Sequence, residues 1–348
     1  MQRIDDPMTP TPNLNAKPWP ADAEHIERAA QRWASGELVA FPTETVYGLG
    51  ADANQPQAVN AIFAAKGRPS DHPLIVHVTD VEQAMVFAAL CPPSVERLLA
   101  QAWPGPLTVI LPRRPGVASL AAGGQDSIGL RCPAHDVAQA LLRAARERGV
   151  HGVAGPSANR FGRVSPTRAS HVIAEFAGQV PVVDGGDCLV GIESTIVDAT
   201  RERLVILRPG HFSAEQLSHW AGQTVWAEDQ ASDQAPRASG TLASHYAPRA
   251  RVRLLERTDL LARCQSHSSE CQPNPKVAVW SPDAPPSGWT GPWRIQPRDA
   301  QACAHDLYAC LRELAEVGVD EIWVAQVPQG DGAADWWPVA DRLRRAAA

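Results

Sequence analysis

Short apolar runs alternate with longer amphipathic stretches through residues 26–220, and this predicts strands and helices in alternation. Residues 38–41, 74–78, 107–111 and 128–131 read as strands, and 181–184, 194–198 and 204–207 follow the same pattern. One helix is expected from a cap at Asn54, with Pro56 in its first turn, to a stop at Gly67. Two more follow the second strand, the later ending near Trp103-Pro104-Gly105. Residues 136–148 are amphipathic and closed by Gly149. Ser165-Pro166 predicts a helix start running to Gly178, and Ser213 with Gln216 forms a capping box for another.

The periodicity lapses over residues 227–241, which are polar and rich in Ala, Ser and Asp. A second alternation follows, with strands at 254–255, 277–280 and 322–324 and helices at 306–317 and 340–346. That spacing predicts a small α/β layer fold on a parallel sheet. The expected division is a disordered tail over 1–22, a first domain over 23–222, a linker over 223–250 and a second domain over 251–348.

Composition narrows the class. The chain has 348 residues, 44% hydrophobic and 20% charged, which suits a globular protein with ordinary cores. A formal net charge of −6 argues against a broad nucleic-acid footprint, though not against a local basic pocket. No stretch has the form of a signal peptide or the apolar length of a membrane span, so a cytoplasmic protein is expected. Seven scattered cysteines without a Cys-x-x-Cys read as reduced thiols rather than a zinc site.

The chemistry collects in a few segments. Lysine occurs only at positions 17, 66 and 276. Lys66 sits in Lys66-Gly67-Arg68-Pro69, where an ammonium and a planar guanidinium together suit a polyphosphate. Capping of the helix end is the plainer account of both. In Phe41-Pro42-Thr43-Glu44-Thr45-Val46-Tyr47-Gly48-Leu49-Gly50, a strand runs into hydroxyls and two glycines. Gly48-x-Gly50 loosely matches a dinucleotide loop, but the next helix starts too late to aim at a pyrophosphate, and a glycine turn fits better. Gly155-Pro156-Ser157-Ala158-Asn159 with Ser165-Pro166-Thr167 is a loop dense in small hydrogen-bonding groups. Glu193-Ser194-Thr195 enters an apolar strand and Arg208 leaves the next one. A surface ion pair between Glu193 and Arg208 would also explain them. Ser244-His245-Tyr246-Ala247-Pro248 places a rigid aromatic at the end of the linker, either as part of a site or as an anchor.

Taken in order, Pro-Thr-Glu-Thr-Val-Tyr-Gly-Leu-Gly, Lys-x-Arg-Pro with Pro-Leu-Ile-Val-His-Val, Pro-Ser-Ala-Asn, Glu-Ser-Thr-Ile-Val-Asp, Leu-Arg-Pro-Gly and His-Tyr-Ala-Pro closely resemble the L-threonylcarbamoyladenylate synthases. These are YrdC-like enzymes, here in their longer two-domain form, and the resemblance runs from about residue 25 to 348. It implies an α+β first domain with a twisted mixed sheet around a concave cavity, plus a smaller Rossmann-like α/β domain. It implies formation of threonylcarbamoyl-AMP and pyrophosphate from L-threonine, bicarbonate and ATP, with Mg²⁺ and no organic cofactor. The product would supply a transferase that modifies adenosine next to the anticodon of tRNA; whether tRNA is touched directly is left open.

By the same resemblance, Thr43, His77, Arg131, Ser157 and Ser194 would hold threonine, with Arg131 on its carboxylate. Lys66, Arg68, His72, Ser127, Asn159, Ser165, Arg208 and Tyr246 would contact ATP, and Lys66 and Arg68 would neutralise the departing pyrophosphate. Relatives often carry Asn where His72 stands, and Thr where Ser127 stands. His77 is also explicable as a core-facing strand histidine. The roles of Glu44 and Glu193 stay open between orienting an arginine and holding Mg²⁺. Residues 223–250 would act as a lid, steadied by the second domain. Other readings are an RNA-binding module, a transferase using carbamoyl phosphate and a nicotinamide oxidoreductase.

Overall fold

The computed structural model describes residues 16–227, 235–240, 245–269, 276–330 and 333–348. In the first domain, α1 (Ala23–Ala34) is followed by β1 (Val39–Phe41), β2 (Gly48–Asp52), α2 (Pro56–Lys66), β3 (Ile75–His77), α3 (Val81–Ala84) and α4 (Pro93–Ala102). Then come β4 (Leu107–Pro112), β5 (Ser127–Arg131), α5 (Asp136–Glu147), β6 (Val153–Ala154), α6 (Ala169–Phe176), β7 (Thr195–Asp198), β8 (Leu204–Arg208), α7 (Ala214–Ala221) and β9 (Val225–Ala227). The nine strands form one mixed sheet in the order β1-β2-β6-β3-β5-β4-β7-β8-β9. The β3/β5, β4/β7 and β8/β9 pairs are parallel and the other neighbours antiparallel.

The second domain contains β10 (Arg251–Leu255), α8 (Arg257–Ser269), β11 (Val277–Ser281), β12 (Trp293–Ile295), α9 (Ala300–Glu316), β13 (Glu321–Ala325) and α10 (Trp337–Ala347). Its four strands are all parallel, in the order β10-β13-β11-β12, as the strand–helix alternation predicts. No described helix is long and apolar enough to cross a membrane.

The largest core packs α2 and α4 against the sheet through residues such as Ile62, Leu98 and Val109. A second cluster, with Trp33, Phe41, Leu141 and Val153, seats α1 and α5. A third joins the domains. Val164, Ile192 and Tyr246 pack with Leu307, Tyr308 and Leu343 of α9 and α10. Trp337 packs on the core of the first domain and Trp336 on the joint cluster.

Several elements depart from the sequence pattern. The glycine segment is not a turn but strand β2, buried throughout. Gly48 and Gly50 are there for space: a Cβ would stand 2.8 Å from the Phe41 ring and 2.7 Å from the Trp33 ring. Gln55, not Asn54, takes the N-cap position of α2, and the Asn54 side chain accepts a bond from Ala118 N instead. The helix expected from Ser165 begins only at Ala169, because the Ser165 hydroxyl is bonded elsewhere. Residues 181–184 make isolated bridges to Ala40 and Trp19 rather than a full strand. Trp19 lies inside the expected tail, yet its backbone bonds to Val182 and Asp184 and its ring lies under Arg28. β9 falls inside the expected linker and extends the sheet. α9 starts at Ala300, capped by Asp299, and buries Cys303 and Ala304 ahead of the stretch read as helical. Residues 1–15, Ser244 and Cys271 lie outside the described residues.

Candidate functional site

Alternation along neighbouring strands brings one row of polar side chains together. In register, His77 pairs with Arg131 across β3 and β5, and Arg131 with Thr108 across β5 and β4. Thr108 Oγ1 lies 2.7 Å from Ser194 Oγ, just ahead of β7. Arg208, the last residue of β8, donates from Nη2 to Ser194 Oγ at 3.1 Å and from Nε to Ser194 O at 3.0 Å. The row therefore carries three of the five expected threonine contacts, His77, Arg131 and Ser194, next to Arg208. Thr43 turns back on its own loop, donating to Val46 O at 2.6 Å and accepting from Thr45 N and Val46 N. Glu44 lies 2.8 Å from an Arg131 Nη as a buried ion pair whose angle falls short of a hydrogen bond.

Lys66 ends α2, and Gly67 takes the left-handed conformation with φ 63° that closes the helix. The ammonium does not cap that helix. It turns inward, 3% exposed, and donates to Ser157 O and Asn159 O at 2.5 Å each. The two loops that looked separately interesting in the sequence are thus pinned to each other by one cation. Arg68 donates to Pro73 O and to Ser239 Oγ, and its guanidinium faces the Phe161 ring at 5.9 Å. His72, half-buried, stacks edge-on against the same ring.

The described part of the linker runs across this face. Ser239 O accepts from Arg208, Ser239 Oγ donates to Pro73 O, and Ala235 and Ala238 pack on Ile110, Ile196 and Leu207. Between this strap and the sheet remains a cavity of about 20 Å³, lined by Ser127, Thr108 and Arg237 among others. That is room for about one water molecule. At the far end of the strap, Tyr246 has φ 64° and a buried hydroxyl, and packs on Tyr308 at 5.4 Å.

Glu193 is 6% exposed and makes no ion pair with Arg208, so the surface pair offered by the sequence is not formed. Instead Ser165 Oγ donates to Oε1 at 2.6 Å, while Tyr308 Oη and Arg342 Nε donate to Oε2 at 2.8 and 3.0 Å. Arg342 also donates to Asp341 and to Pro209 O. Tyr308 and Arg342 come from α9 and α10, 115 and 149 residues from Glu193, so no local pattern pointed to them.

Burial sets the charge states. It drives the Lys66 ammonium well below its ordinary pKa, with Arg68 adding repulsion, and brings Arg68 down to about 10. Burial, with Arg131 beside it, depresses His77 to about 3, and burial brings His245 to about 3 as well. Both rings are therefore neutral at pH 7. Burial pushes Glu193 up, but Arg342, Arg208 and the bonds it accepts outweigh this and hold it at about 2.

Thirteen buried side-chain N or O atoms lack a hydrogen-bond partner among the described residues, and nine lie here, on Glu44, Arg68, His77, Arg131, Asn159, His245 and Tyr246. Unpaired buried polar atoms cost about 1–3 kcal/mol each. Their concentration suits a pocket whose ligand supplies the missing groups. No cluster of three His, Cys, Asp or Glu is present among the described residues. Glu193 is taken up by Ser165, Tyr308 and Arg342, and Glu44 faces Arg131.

Buried cations, neutral imidazoles and hydroxyls gathered on one face, nine of their polar atoms and those of their neighbours unpaired, have the chemistry of an enzyme site. Residues 31–210 match the family profile Sua5_yciO_yrdC, described as "Telomere recombination". Residues 212–348 match Sua5_C, described as "Threonylcarbamoyl-AMP synthase, C-terminal domain". A protein of Pyrococcus abyssi named threonylcarbamoyl-AMP synthase is 37% identical over 334 residues, covering 92% of this chain and 93% of its own. One of Bacillus subtilis with the same name is 41% identical over 235 residues, 66% of each chain. The crystal structure of P. abyssi Sua5 complexed with L-threonine superposes with a TM-score of 0.84 at 35% identity, covering 94% of this chain and 95% of that one. The chain belongs to the Sua5/YciO/YrdC family.

Proposed function

We propose that the protein is a threonylcarbamoyl-AMP synthase, a nucleotidyltransferase that joins L-threonine, bicarbonate or CO₂, and the adenylyl group of ATP, releasing pyrophosphate. The observation that carries this is the buried lysine Lys66, which locks the Ser157–Asn159 loop, while its neighbour Arg68 and Arg208 of the polar row both bond to Ser239. Names of relatives aligned over both domains support it.

In this reading Arg131 offers Nε, which has no hydrogen-bond partner, to the carboxylate of threonine, and Glu44 pairs with Nη2 and keeps the guanidinium oriented. His77, neutral, has its Nδ1 free to accept a hydrogen bond from the amine. The deprotonated threonine nitrogen bonds to the carbon of CO₂ as one C=O bond opens onto oxygen; the nitrogen keeps one hydrogen, and the two protons it gives up pass to solvent. A carbamate oxygen then bonds to the α-phosphorus of ATP, and the bond from that phosphorus to the bridging oxygen breaks, so pyrophosphate leaves with the electron pair. Lys66, Arg68 and Arg208 stabilise the charge that builds on the phosphates. Mg²⁺, bound with ATP, would supply further neutralisation of the phosphate oxygens. Ser127 and His72 flank the strap, and Asn159, Ser165 and Tyr246 line the nucleotide side. The protein would act by positioning and electrostatics, with no covalent intermediate. Its product is a mixed anhydride suited to a transferase that modifies tRNA, and a cytoplasmic setting follows from that role.

The test is pyrophosphate release from ATP with Mg²⁺ and bicarbonate, with L-threonine, serine, valine or no amino acid. The expected result is release that needs both threonine and bicarbonate and is abolished by Lys66→Ala. Release without threonine, or none from folded protein, refutes the assignment.

A further inference from the structure

We infer that the second domain builds part of the nucleotide side of the pocket, with Arg342 and Tyr308 as positioning residues that hold the Glu193–Ser165 pair; this rests on the ATP-binding part of the function proposed above. The first domain alone leaves Glu193 badly placed. Its carboxylate is buried, and within its own domain its one hydrogen bond among the described residues comes from Ser165. The two bonds on its other oxygen both come from the second domain. Arg342 is fully buried and reaches across to Pro209 O, in the turn that follows Arg208. One guanidinium thus ties together Glu193, the chain beyond Arg208 and Asp341 of its own helix. The same two residues frame the linker aromatic. Arg342 stands 5.4 Å from the Tyr246 ring and Tyr308 stands 5.4 Å from it on the tilt. His245 N bonds to Arg345 O, so α10 also holds the backbone that leads into Tyr246.

The chemical consequence lies in Ser165. By donating its proton to Glu193, it turns its lone pairs away from that carboxylate and fixes itself as an acceptor. Without Arg342, the carboxylate is a buried anion lacking its close counter-charge, and it must either take a proton or draw another cation. Arg208 and Lys66 are the cations that already feel its field, and His245, Tyr246 and Tyr308 are the other titratable groups facing it. Both cations belong to the phosphate machinery. Arg208 also holds Ser194, a threonine contact, so a change in the second domain would appear as a loss in ATP binding larger than the loss in threonine binding.

The full-length chain carrying Arg342→Met, Tyr308→Phe, Glu193→Gln or Glu193→Gln with Arg342→Met would be titrated calorimetrically with ATP and Mg²⁺, and separately with L-threonine. ATP binding by Arg342→Met should weaken about 10-fold or more. Threonine binding should weaken less, by about 3-fold at most, and adding Glu193→Gln should restore much of the ATP affinity. ATP binding by Arg342→Met should also improve as the pH falls from about 8 to 6, because protonation relieves the stranded carboxylate, whereas the wild type should be flat there. If Arg342→Met does not fold, Tyr308→Phe carries the test, with a loss of about 3-fold in ATP affinity alone. Equal losses for both ligands, unchanged ATP affinity, or a double variant no better than Arg342→Met would overturn the inference. Wild type that binds ATP but releases no pyrophosphate with threonine would overturn the proposed function and leave this inference standing. Wild type that binds no ATP would overturn both.

Discussion

Mild acid should destabilise this protein through its buried neutral histidines, and His77 isolates the effect. Its ring sits in the sheet, edge-on to Phe41 at 5.4 Å, in register beside Arg131. Burial and that guanidinium hold it at about 3 against an ordinary 6.5. The unfolded chain therefore binds a proton at His77 over a range of pH where the folded chain does not. Stability is complete above about 6.5 and falls as the pH drops toward 3. At pH 5 the loss amounts to 1.5 pH units below the unfolded value, or about 2 kcal/mol. His245 at about 3 and His171 at about 4 add losses of the same sign. Glu193 does not enter this window. Its pKa is lowered from 4.5 to about 2, so its contribution fades only below about 4.5. Urea unfolding at pH 7 and pH 5, followed by tryptophan fluorescence, measures the drop. His77→Gln should be less stable at pH 7 through lost packing, yet its drop to pH 5 should be smaller by about 2 kcal/mol. A drop as large as that of the wild type would show that the ring is not buried neutral, and the reasoning fails.

Gly210→Ala should be severely destabilising, by at least about 3 kcal/mol, because the added Cβ would meet Thr195 N at 2.3 Å and backbone cannot step aside. A melting temperature within about 2 °C of the wild type would contradict that contact. The six described thiols should be chemically idle. Burial raises Cys91, Cys132 and Cys264 to about 11 and Cys303 to about 12, with Cys188 and Cys310 pushed higher still. Native protein treated with iodoacetamide should keep its threonine-dependent pyrophosphate release within about 2-fold, and one alkylated thiol that abolishes turnover in folded protein would require a covalent step.

The sequence discloses elements wherever burial leaves a period. α5 keeps its amphipathic stripe and α7 its serine cap, with Ser213 accepting from Gln216 N. It misleads where a residue's local habit serves a distant purpose. Gly48 and Gly50 resemble a turn because the signal for β2 is two aromatic rings above it, supplied by Phe41 and Trp33. Ser165-Pro166 resembles a helix cap because the acceptor of its hydroxyl, Glu193, is 28 residues away. The site followed the same rule. Residues in compact motifs, such as Lys66, Arg68, Ser157 and Asn159, were legible as a set, and the structure ties Lys66 to the Ser157–Asn159 loop. Tyr308 lies on the apolar face of a helix, and Arg342 sits in a run of arginines where nothing local sets it apart.

The two-residue strand β6 has a consequence for how the chain reaches this state. Ala154 pairs with Ala51 on one side and Val76 on the other, so the middle of the nine-stranded sheet stays open until a segment about a hundred positions later arrives. The Lys66 anchor closes across a similar span of 91 residues. Such long closures make folding slow, because the loop entropy is lost before any contact repays it. During synthesis, β1, β2 and β3 must wait on the ribosome with an unpaired edge, exposed to wrong partners for as long as the intervening stretch takes to emerge. Dependence on chaperones during synthesis would thus be set by the strand order, not by marginal stability of the finished protein.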